Sequence, residues 1–216
     1  MLPETTQRLL IVDDHPLFRK GVRYLVNMVQ GFTIVGEASC GQEGIDMAAE
    51  LDPDMILLDL NMKDMSGIDV LKAVKASGSD ARVVMLTVSD QADDLVSALR
   101  SGADGYLLKE MEPEDLVSKL SEAAAGHITL TERLINLLAH AMRYDASRPK
   151  TTSEAGLTDQ EQRIIELVAA GKSNKLVARE LSITEGTVKV HVKHLLRKLN
   201  LRSRVEAAVW YVAQQK

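Results

Sequence analysis

The chain has 216 residues, of which 45% are hydrophobic and 26% are charged, and its formal net charge at pH 7 is −5. This length has room for two domains of ordinary size, and no apolar run approaches the ~20 residues that a membrane-spanning helix needs. The single cysteine, Cys40, excludes an intramolecular disulfide and a thiolate metal cluster. The N-terminal run MLPETTQRLL has neither the basic start nor the apolar core of an export signal, so we expect a cytoplasmic protein without a membrane segment.

In the first half of the chain, short apolar runs alternate with longer amphipathic stretches. The apolar runs predict buried strands of a parallel sheet at 9–12, 33–35, 55–58, 83–88 and 106–108. The stretches after them predict helices at 17–28, 42–51, 67–75, 90–101 and 113–125. Five successive strand–helix units predict an α/β fold with a five-stranded, doubly wound parallel sheet, which binds its ligand at the carboxyl ends of the strands.

The second half of the chain has a different pattern. Residues 129–143 predict an isolated helix, and the polar run YDASRPKTTSEAG predicts an interdomain linker. Helices predicted at 159–170, 174–181, 185–199 and 203–214 form a small all-helical domain. We therefore predict a first domain at 1–127, a linker helix and flexible linker at 128–153, and a second domain at 154–216.

Charge differs between the two predicted domains. Residues 1–127 carry a net charge of −11, whereas residues 151–216 carry +4. A polyanion would be repelled by the first region and attracted by the second. The two domains should therefore have different partners.

Three carboxylates fall at the ends of predicted strands: Asp13 and Asp14 after the first strand, and Asp59 after the third. Carboxylates at one edge of a sheet repel one another unless a cation lies between them, and Mg²⁺ suits an open site of oxygen ligands. Thr87 ends the fourth strand and Lys109 follows the fifth, which places a hydroxyl and an ammonium on the same edge. This combination predicts phosphoryl transfer, with one aspartate as the nucleophile.

The run SNKLVARELSITEGTVKVHVKHLLRKL has the form of a helix-turn-helix. Its second helix has a buried stripe of Val188, Val192, Leu195 and Leu199. The opposite face carries Thr187, Lys189, Lys193 and Arg197, with Val190 and His194 at its margins. A basic face of this length fits a DNA major groove, although an ordinary amphipathic helix with a solvated charged face has the same pattern.

The runs LLIVDDHPLFRKGV, MILLDLNMKDMSGIDVL, VVMLTVS and GADGYLLK resemble the receiver domains of two-component systems, which have a flavodoxin-like fold. The resemblance implies that Asp59 is the phosphoacceptor. It also implies that Asp14, Asp59 and the backbone carbonyl of Asn61 hold Mg²⁺, with Asp13 assisting through water. The other implied site residues are the switch pair Thr87 and Tyr106, and Lys109, which contacts the phosphoryl group.

The run from Leu157 onward resembles the LuxR-type DNA-binding domain, and the two halves together resemble the NarL/FixJ family of response regulators. Within the family, the chain resembles the nitrate/nitrite regulators. The resemblance implies four partners or ligands: double-stranded DNA at promoter half-sites, a sensor histidine kinase, Mg²⁺, and a second copy of the chain after phosphorylation. Implied base contacts are Lys189, Val190 and Lys193, with His194 beside them; implied phosphate contacts are Lys175, Thr187 and Arg197; the implied dimer face is Val205, Ala208, Val209 and Val212.

Two residues depart from the receiver pattern. Lys63 stands where most receivers have proline after the methionine, and Glu110 stands where many have proline after the lysine. His15 follows the two aspartates at a strand-to-helix turn, and we interpret it as a turn or capping residue rather than a metal ligand.

The sequence predicts a phosphorylation-controlled transcriptional regulator and not an enzyme. Three alternatives are a phosphatase or phosphotransferase with Asp59 as nucleophile, a constitutive DNA-binding regulator with a non-switching receiver, and an RNA-binding antiterminator. The first lacks a D-x-D-x-T arrangement and a substrate-capping domain, the complete acidic site argues against the second, and the third lacks its output domain.

Overall fold

A computed structural model describes residues 6–28, 31–125, 127, 129, 134–135, 151–152 and 154–214 of the chain. The predicted linker helix at 129–143 and the linker that follows it lie mostly outside these residues. Within the described part of the chain, no helix is both long and apolar enough to cross a membrane.

The first domain contains five parallel strands in the order β2-β1-β3-β4-β5, which confirms the predicted doubly wound sheet. The strands are β1 Gln7–Val12, β2 Phe32–Ala38, β3 Met55–Leu58, β4 Arg82–Thr87 and β5 Gly105–Leu108. The helices between and after them are α1 Pro16–Asn27, α2 Gly41–Leu51, α3 Gly67–Ala76, α4 Ala92–Arg100 and α5 Pro113–Ala125. The direction of winding reverses between β1 and β3, and a crevice forms at the carboxyl ends of these two strands.

Both faces of the sheet are buried because the central strands carry continuous apolar runs, at 9–12 in β1, 55–58 in β3 and 83–86 in β4. Leu9 and Ile11 pack with residues of α1 and α5, while Leu10 and Val12 pack on the opposite face with residues of α3 and α4. Successive side chains of a strand point to opposite faces, so a fully apolar strand supplies both cores.

Gly67 places the turn after β3 against the strand end that carries Asp59. A Cβ atom at Gly67 would lie 2.1 Å from the Asp59 carbonyl oxygen, and the Gly67 N–H donates to the Leu60 carbonyl at 2.8 Å. Only glycine allows the backbone to approach this closely. The N-terminus of α3 is therefore held beside the acidic edge of the sheet.

The second domain contains four helices: α6 Asp159–Ala169, α7 Asn174–Leu181, α8 Glu185–Lys198 and α9 Arg204–Gln214. Thr158, Ser173 and Thr184 cap α6, α7 and α8, and Thr158 forms a capping box with Glu161. Side chains from all four helices share one apolar core that includes Trp210. Helices α7 and α8 are the two helices of the predicted helix-turn-helix.

Candidate functional site

The structure brings the three predicted carboxylates together at the carboxyl ends of β1 and β3. Asp13 and Asp59 are each only 3% exposed. One ligand atom from each of Asp13, Asp14, His15 and Asp59 lies within 4.8 Å of the others. The adjacency of β1 and β3 creates this cluster, because residues that follow neighbouring parallel strands share one edge of the sheet.

Lys109 is the buried cation of this cluster. Its Nζ lies 2.8 Å from Asp13 Oδ2 and 2.7 Å from Asp59 Oδ2, and it is 4.7 Å from the centre of the Phe18 ring. The Lys109 backbone N–H donates to the Thr87 carbonyl at 2.8 Å, which fixes the lysine beside the end of β4. One ammonium thus bridges two of the three carboxylates.

Burial raises the pKa of the Asp59 carboxyl above its ordinary value, although the hydrogen bond and charge of Lys109 act in the opposite direction. The nearby Asp13 carboxylate adds to the rise. Asp14 Oδ1 lies 2.8 Å from His15 Nδ1, and Asp59 Oδ2 lies 2.7 Å from Lys109 Nζ. Three carboxylates gathered around one buried ammonium leave an excess of negative charge and supply the oxygen ligands that a hard divalent cation prefers, so these residues fit Mg²⁺.

Asp59→Asn should raise the free energy of unfolding by about 1 kcal/mol at neutral pH when divalent cations are chelated, because a neutral amide relieves a buried charge. A carboxyl whose folded pKa is raised destabilises the fold only where it is ionised. The stabilisation should therefore shrink as pH falls through the raised pKa and vanish below the ordinary aspartate pKa of about 3.9. Calorimetric unfolding of wild type and Asp59→Asn across this pH range measures the difference in their free energy of unfolding.

The matched control for that experiment is Asp69→Asn, because Asp69 is an exposed carboxylate on α3 with a side chain 63% accessible. The control should change unfolding little at any pH. A difference between wild type and Asp59→Asn that does not depend on pH would contradict the raised pKa.

His15 is a site residue that the sequence interpretation missed. It occupies the predicted capping position before α1, but its side chain makes no capping bond. Its Nδ1 instead lies 2.8 Å from Asp14 Oδ1 and 3.8 Å from Asp59 Oδ2, while the side chain remains 62% exposed. Its position directly after two aspartates at a strand end was the available signal.

The predicted switch pair is joined by Ser89, which was also missed. Thr87 and Tyr106 are fully buried. The Ser89 N–H donates to Thr87 Oγ1 at 3.1 Å, the Tyr106 hydroxyl donates to the Ser89 carbonyl at 3.0 Å, and the Ser89 hydroxyl donates to Asp94 of α4. Burial raises the pKa of Tyr106 to about 12, so the phenol remains a donor. The end of β4 is thereby connected to β5 and α4.

Helix α8 has the amphipathic arrangement that the sequence predicts. Val188 and Leu195 are fully buried, and Leu199 directly after the helix is buried with them. Val190 is 53% exposed. The predicted DNA contacts that are exposed are Lys175, Lys189, Lys193, His194 and Arg197. Thr187 is half-buried, and its hydroxyl is 2.8 Å from that of Thr184.

Part of this basic face contacts the first domain. Lys189 Nζ lies 2.7 Å from Asp80 Oδ1 in the loop before β4. Lys175 and Lys189 also line a cleft shared with Asp54 and Arg82 of the first domain. One of the predicted base-contacting lysines is therefore paired with an aspartate in this arrangement.

Helix α9 contacts α4 of the first domain. Val205 and Val209 belong to the same buried cluster as Leu95 and Leu99 of α4. Arg100 Nε at the end of α4 lies 3.5 Å from Oε1 of the fully buried Glu206. In the predicted dimer face, Val205, Ala208 and Val209 are thus buried, and Val212 is 43% exposed.

Comparisons with known proteins agree with this geometry. Residues 9–121 match the response regulator receiver domain family, and residues 155–211 match the luxR family of bacterial regulatory proteins. The nitrate/nitrite response regulator NarL of Escherichia coli (strain K12) is 51% identical over 203 residues, covering 94% of this chain and 93% of the relative. The nitrate/nitrite response regulator NarP of the same strain is 44% identical over 215 residues, covering 99% of each chain. The crystal structure of the response regulator ChrA, from a heme-sensing two-component system, is 30% identical, with a TM-score of 0.52 and 98% of each chain covered.

Proposed function

Because the chain belongs to the two-component response regulators that join a receiver domain to a luxR-family DNA-binding domain, we propose that nitrate or nitrite, sensed by a histidine kinase, controls its binding to promoter DNA. Phosphorylation-controlled regulation of transcription is the function of this family. The nitrate or nitrite signal follows the names of the two E. coli relatives.

The observation that carries the proposal is the pair between Lys189 and Asp80. Lys189 lies on the predicted recognition helix α8, and Asp80 belongs to the receiver. DNA and the receiver compete for the same ammonium, since a lysine cannot bind both at once. We assign the closed arrangement, with α8 and α9 against the receiver, to the unphosphorylated protein.

Asp59 is the proposed phosphoacceptor. One of its carboxylate oxygens attacks the phosphorus of the donor, the bond from phosphorus to the leaving group breaks, and the leaving group takes the electron pair. The Lys109 ammonium, 2.7 Å from Asp59 Oδ2, transfers its contact to a phosphoryl oxygen. Mg²⁺ held by Asp14, Asp59 and the Asn61 carbonyl, with Asp13 assisting through water, would neutralise charge on the phosphoryl oxygens.

The proposed signal passes through Ser89 to α4. When the Thr87 side chain rotates so that its hydroxyl donates to the phosphoryl group, Thr87 Oγ1 moves away from the Ser89 N–H that it now accepts. Ser89 also holds the Tyr106 hydroxyl and Asp94, so the loop before α4 changes with it. Because α4 contacts α9, this change weakens the closed arrangement and shifts the population toward proteins with a free DNA-binding domain.

Release would separate the receiver from the proposed DNA contacts Lys175, Thr187, Lys189, Val190, Lys193, His194 and Arg197, and from the proposed dimer face Val205, Ala208, Val209 and Val212. A dimer binds paired half-sites, which raises affinity by adding contacts on a second half-site. The proposed domain limits remain 1–127, 128–153 and 154–216.

An electrophoretic shift on a nitrate-regulated promoter fragment tests the proposal, with and without acetyl phosphate and Mg²⁺, for wild type and Asp59→Asn. Treated wild type should bind at least about tenfold more tightly than the other three samples, which corresponds to ~1.4 kcal/mol of coupling between the two domains. Equal binding in all four samples would favour a constitutive DNA-binding regulator. Failure of the wild-type protein to become phosphorylated would overturn the role of the acidic site.

A further inference from the structure

The loop between β3 and α3 holds Lys63 at the mouth of the acidic site. The loop is closed on itself by an antiparallel bridge between Asn61 and Ser66. It is also anchored to α2, because Asp64 Oδ2 accepts the backbone N–H groups of Gly41 at 2.8 Å and Gln42 at 3.2 Å. These contacts fix the backbone that carries Lys63.

Lys63 makes two interactions with Asp14, whose side chain is 7% exposed. Its backbone N–H donates to Asp14 Oδ2 at 3.2 Å, and its Nζ lies 3.8 Å from the same oxygen. The Lys63 side chain is 88% exposed, so the ammonium faces both the carboxylate and solvent. Proline, which many receivers have here, carries neither an N–H nor a charge. Both interactions are therefore consequences of the departure that the sequence shows at this position.

The Lys63 ammonium adds a positive charge at the entrance of a site that is otherwise mainly negative. Three carboxylates face one buried ammonium, since the Lys109 side chain is only 9% exposed. An incoming phosphodonor is itself an anion and must approach these carboxylates from solvent. A cation at the mouth attracts that anion, and it repels a divalent cation that approaches the same oxygens.

We propose that Lys63 binds the anionic phosphoryl group of the donor at the mouth of the site and, by the same charge, weakens the affinity of the site for Mg²⁺. The inference rests on the proposed phosphorylation of Asp59. The group recognised is a phosphoryl dianion, carried by a small acyl phosphate or by a phosphohistidine. With acetyl phosphate, the bond from phosphorus to the acyl oxygen breaks, acetate leaves with the electron pair, and a bond from phosphorus to Asp59 forms.

The test compares Lys63→Ala, which removes the charge and keeps the N–H, with Lys63→Arg, which keeps both. Lys72→Ala is the matched control, because Lys72 is an exposed lysine on α3 that pairs with an exposed carboxylate, Asp69, at 3.4 Å. Phosphorylation rates of the full chain are measured at saturating Mg²⁺ with two donors. Acetyl phosphate is mainly a dianion, whereas phosphoramidate is mainly a monoanion with the phosphorus–nitrogen bond found in phosphohistidine. Calorimetric titration of the unphosphorylated proteins gives the Mg²⁺ affinity separately.

Lys63→Ala should slow phosphorylation by acetyl phosphate about two- to fivefold, which is the effect expected of one exposed charge. It should slow phosphorylation by phosphoramidate less, because that donor carries less negative charge. The same variant should bind Mg²⁺ about twofold more tightly. Lys63→Arg should behave as wild type, and the differences should disappear at about 1 M salt, where the screening length is about 3 Å.

Two results would overturn the inference while leaving phosphorylation of Asp59 intact. One is a Lys63→Ala protein that reacts with acetyl phosphate as fast as wild type. The other is an equal loss with both donors together with weaker Mg²⁺ binding, which would mean that Lys63 only holds the loop in place. If wild type itself is not phosphorylated, the proposed function fails first.

Discussion

Lys193→Ala should lower the affinity of the phosphorylated protein for its promoter site by about tenfold, because a lysine that contacts a base edge contributes about 1–3 kcal/mol of discrimination. Lys193 is exposed on α8 and has no described ion pair to break in the closed arrangement. Its loss should therefore affect DNA binding alone. Titrations of a specific and a scrambled DNA fragment measure the loss of affinity, which should be larger on the specific fragment.

Lys189→Ala should show a different pattern, because Lys189 also pairs with Asp80 of the receiver. The phosphorylated variant should lose affinity to a similar degree. The unphosphorylated variant should lose less, since removal of the pair also weakens the closed arrangement. The double variant should lose about a hundredfold if the two contacts are independent.

Lys172→Ala is the control for both lysines, because Lys172 belongs to the same domain and pairs with Glu180. It should leave DNA affinity within about twofold of wild type. An equally large loss in this control would mean that general positive charge binds the DNA, and that α8 does not read its sequence.

The sequence predicts best those elements whose pattern is uninterrupted. Residues 55–58 coincide with β3, which is apolar and buried throughout, and residues 113–125 coincide with α5, which begins at Pro113 and buries one face. The prediction for β2 was too short, at 33–35 against Phe32–Ala38, because β2 lies at the sheet edge and most of its residues are only partly buried. A half-exposed strand admits polar residues, and its apolar run is therefore interrupted.

The acidic edge of the sheet was also predictable, since the order of strands and helices forces Asp13, Asp14 and Asp59 together. The contacts of His15 and Ser89 were not, because a ring or a hydroxyl can turn in several directions from the same backbone position. Contacts between domains were beyond prediction for another reason. Helical periodicity identifies which face of α9 is apolar, but it does not identify what covers that face.

Arg100→Glu should raise the DNA affinity of the unphosphorylated protein by about tenfold, because it places two carboxylates against each other in the contact between α4 and α9. Arg100 Nε now lies 3.5 Å from Glu206 Oε1. The Glu206 side chain is fully buried, so the repulsion cannot be relieved by solvent while the domains remain closed. The Arg100 side chain is 39% exposed on the receiver surface, so the substitution should leave the receiver folded. Because of this exposure, the repulsion between the two carboxylates is smaller than it would be in a fully buried pair.

The affinity of phosphorylated wild type sets the upper limit for this variant, because a substitution that only opens the protein cannot improve the DNA contacts themselves. Phosphorylation should therefore add little to the DNA affinity of Arg100→Glu, whereas it should raise the DNA affinity of Arg23→Glu as much as that of wild type. Arg23 is the matched control, since it is an arginine 49% exposed on α1 that pairs with Glu37 within the receiver. If Arg100→Glu remains as dependent on phosphorylation as this control, the contact between α4 and α9 does not restrain the DNA-binding domain. If its affinity rises toward the limit, the closed arrangement is the state that phosphorylation must disrupt, and the contact between α4 and α9 contributes to the energy of that disruption.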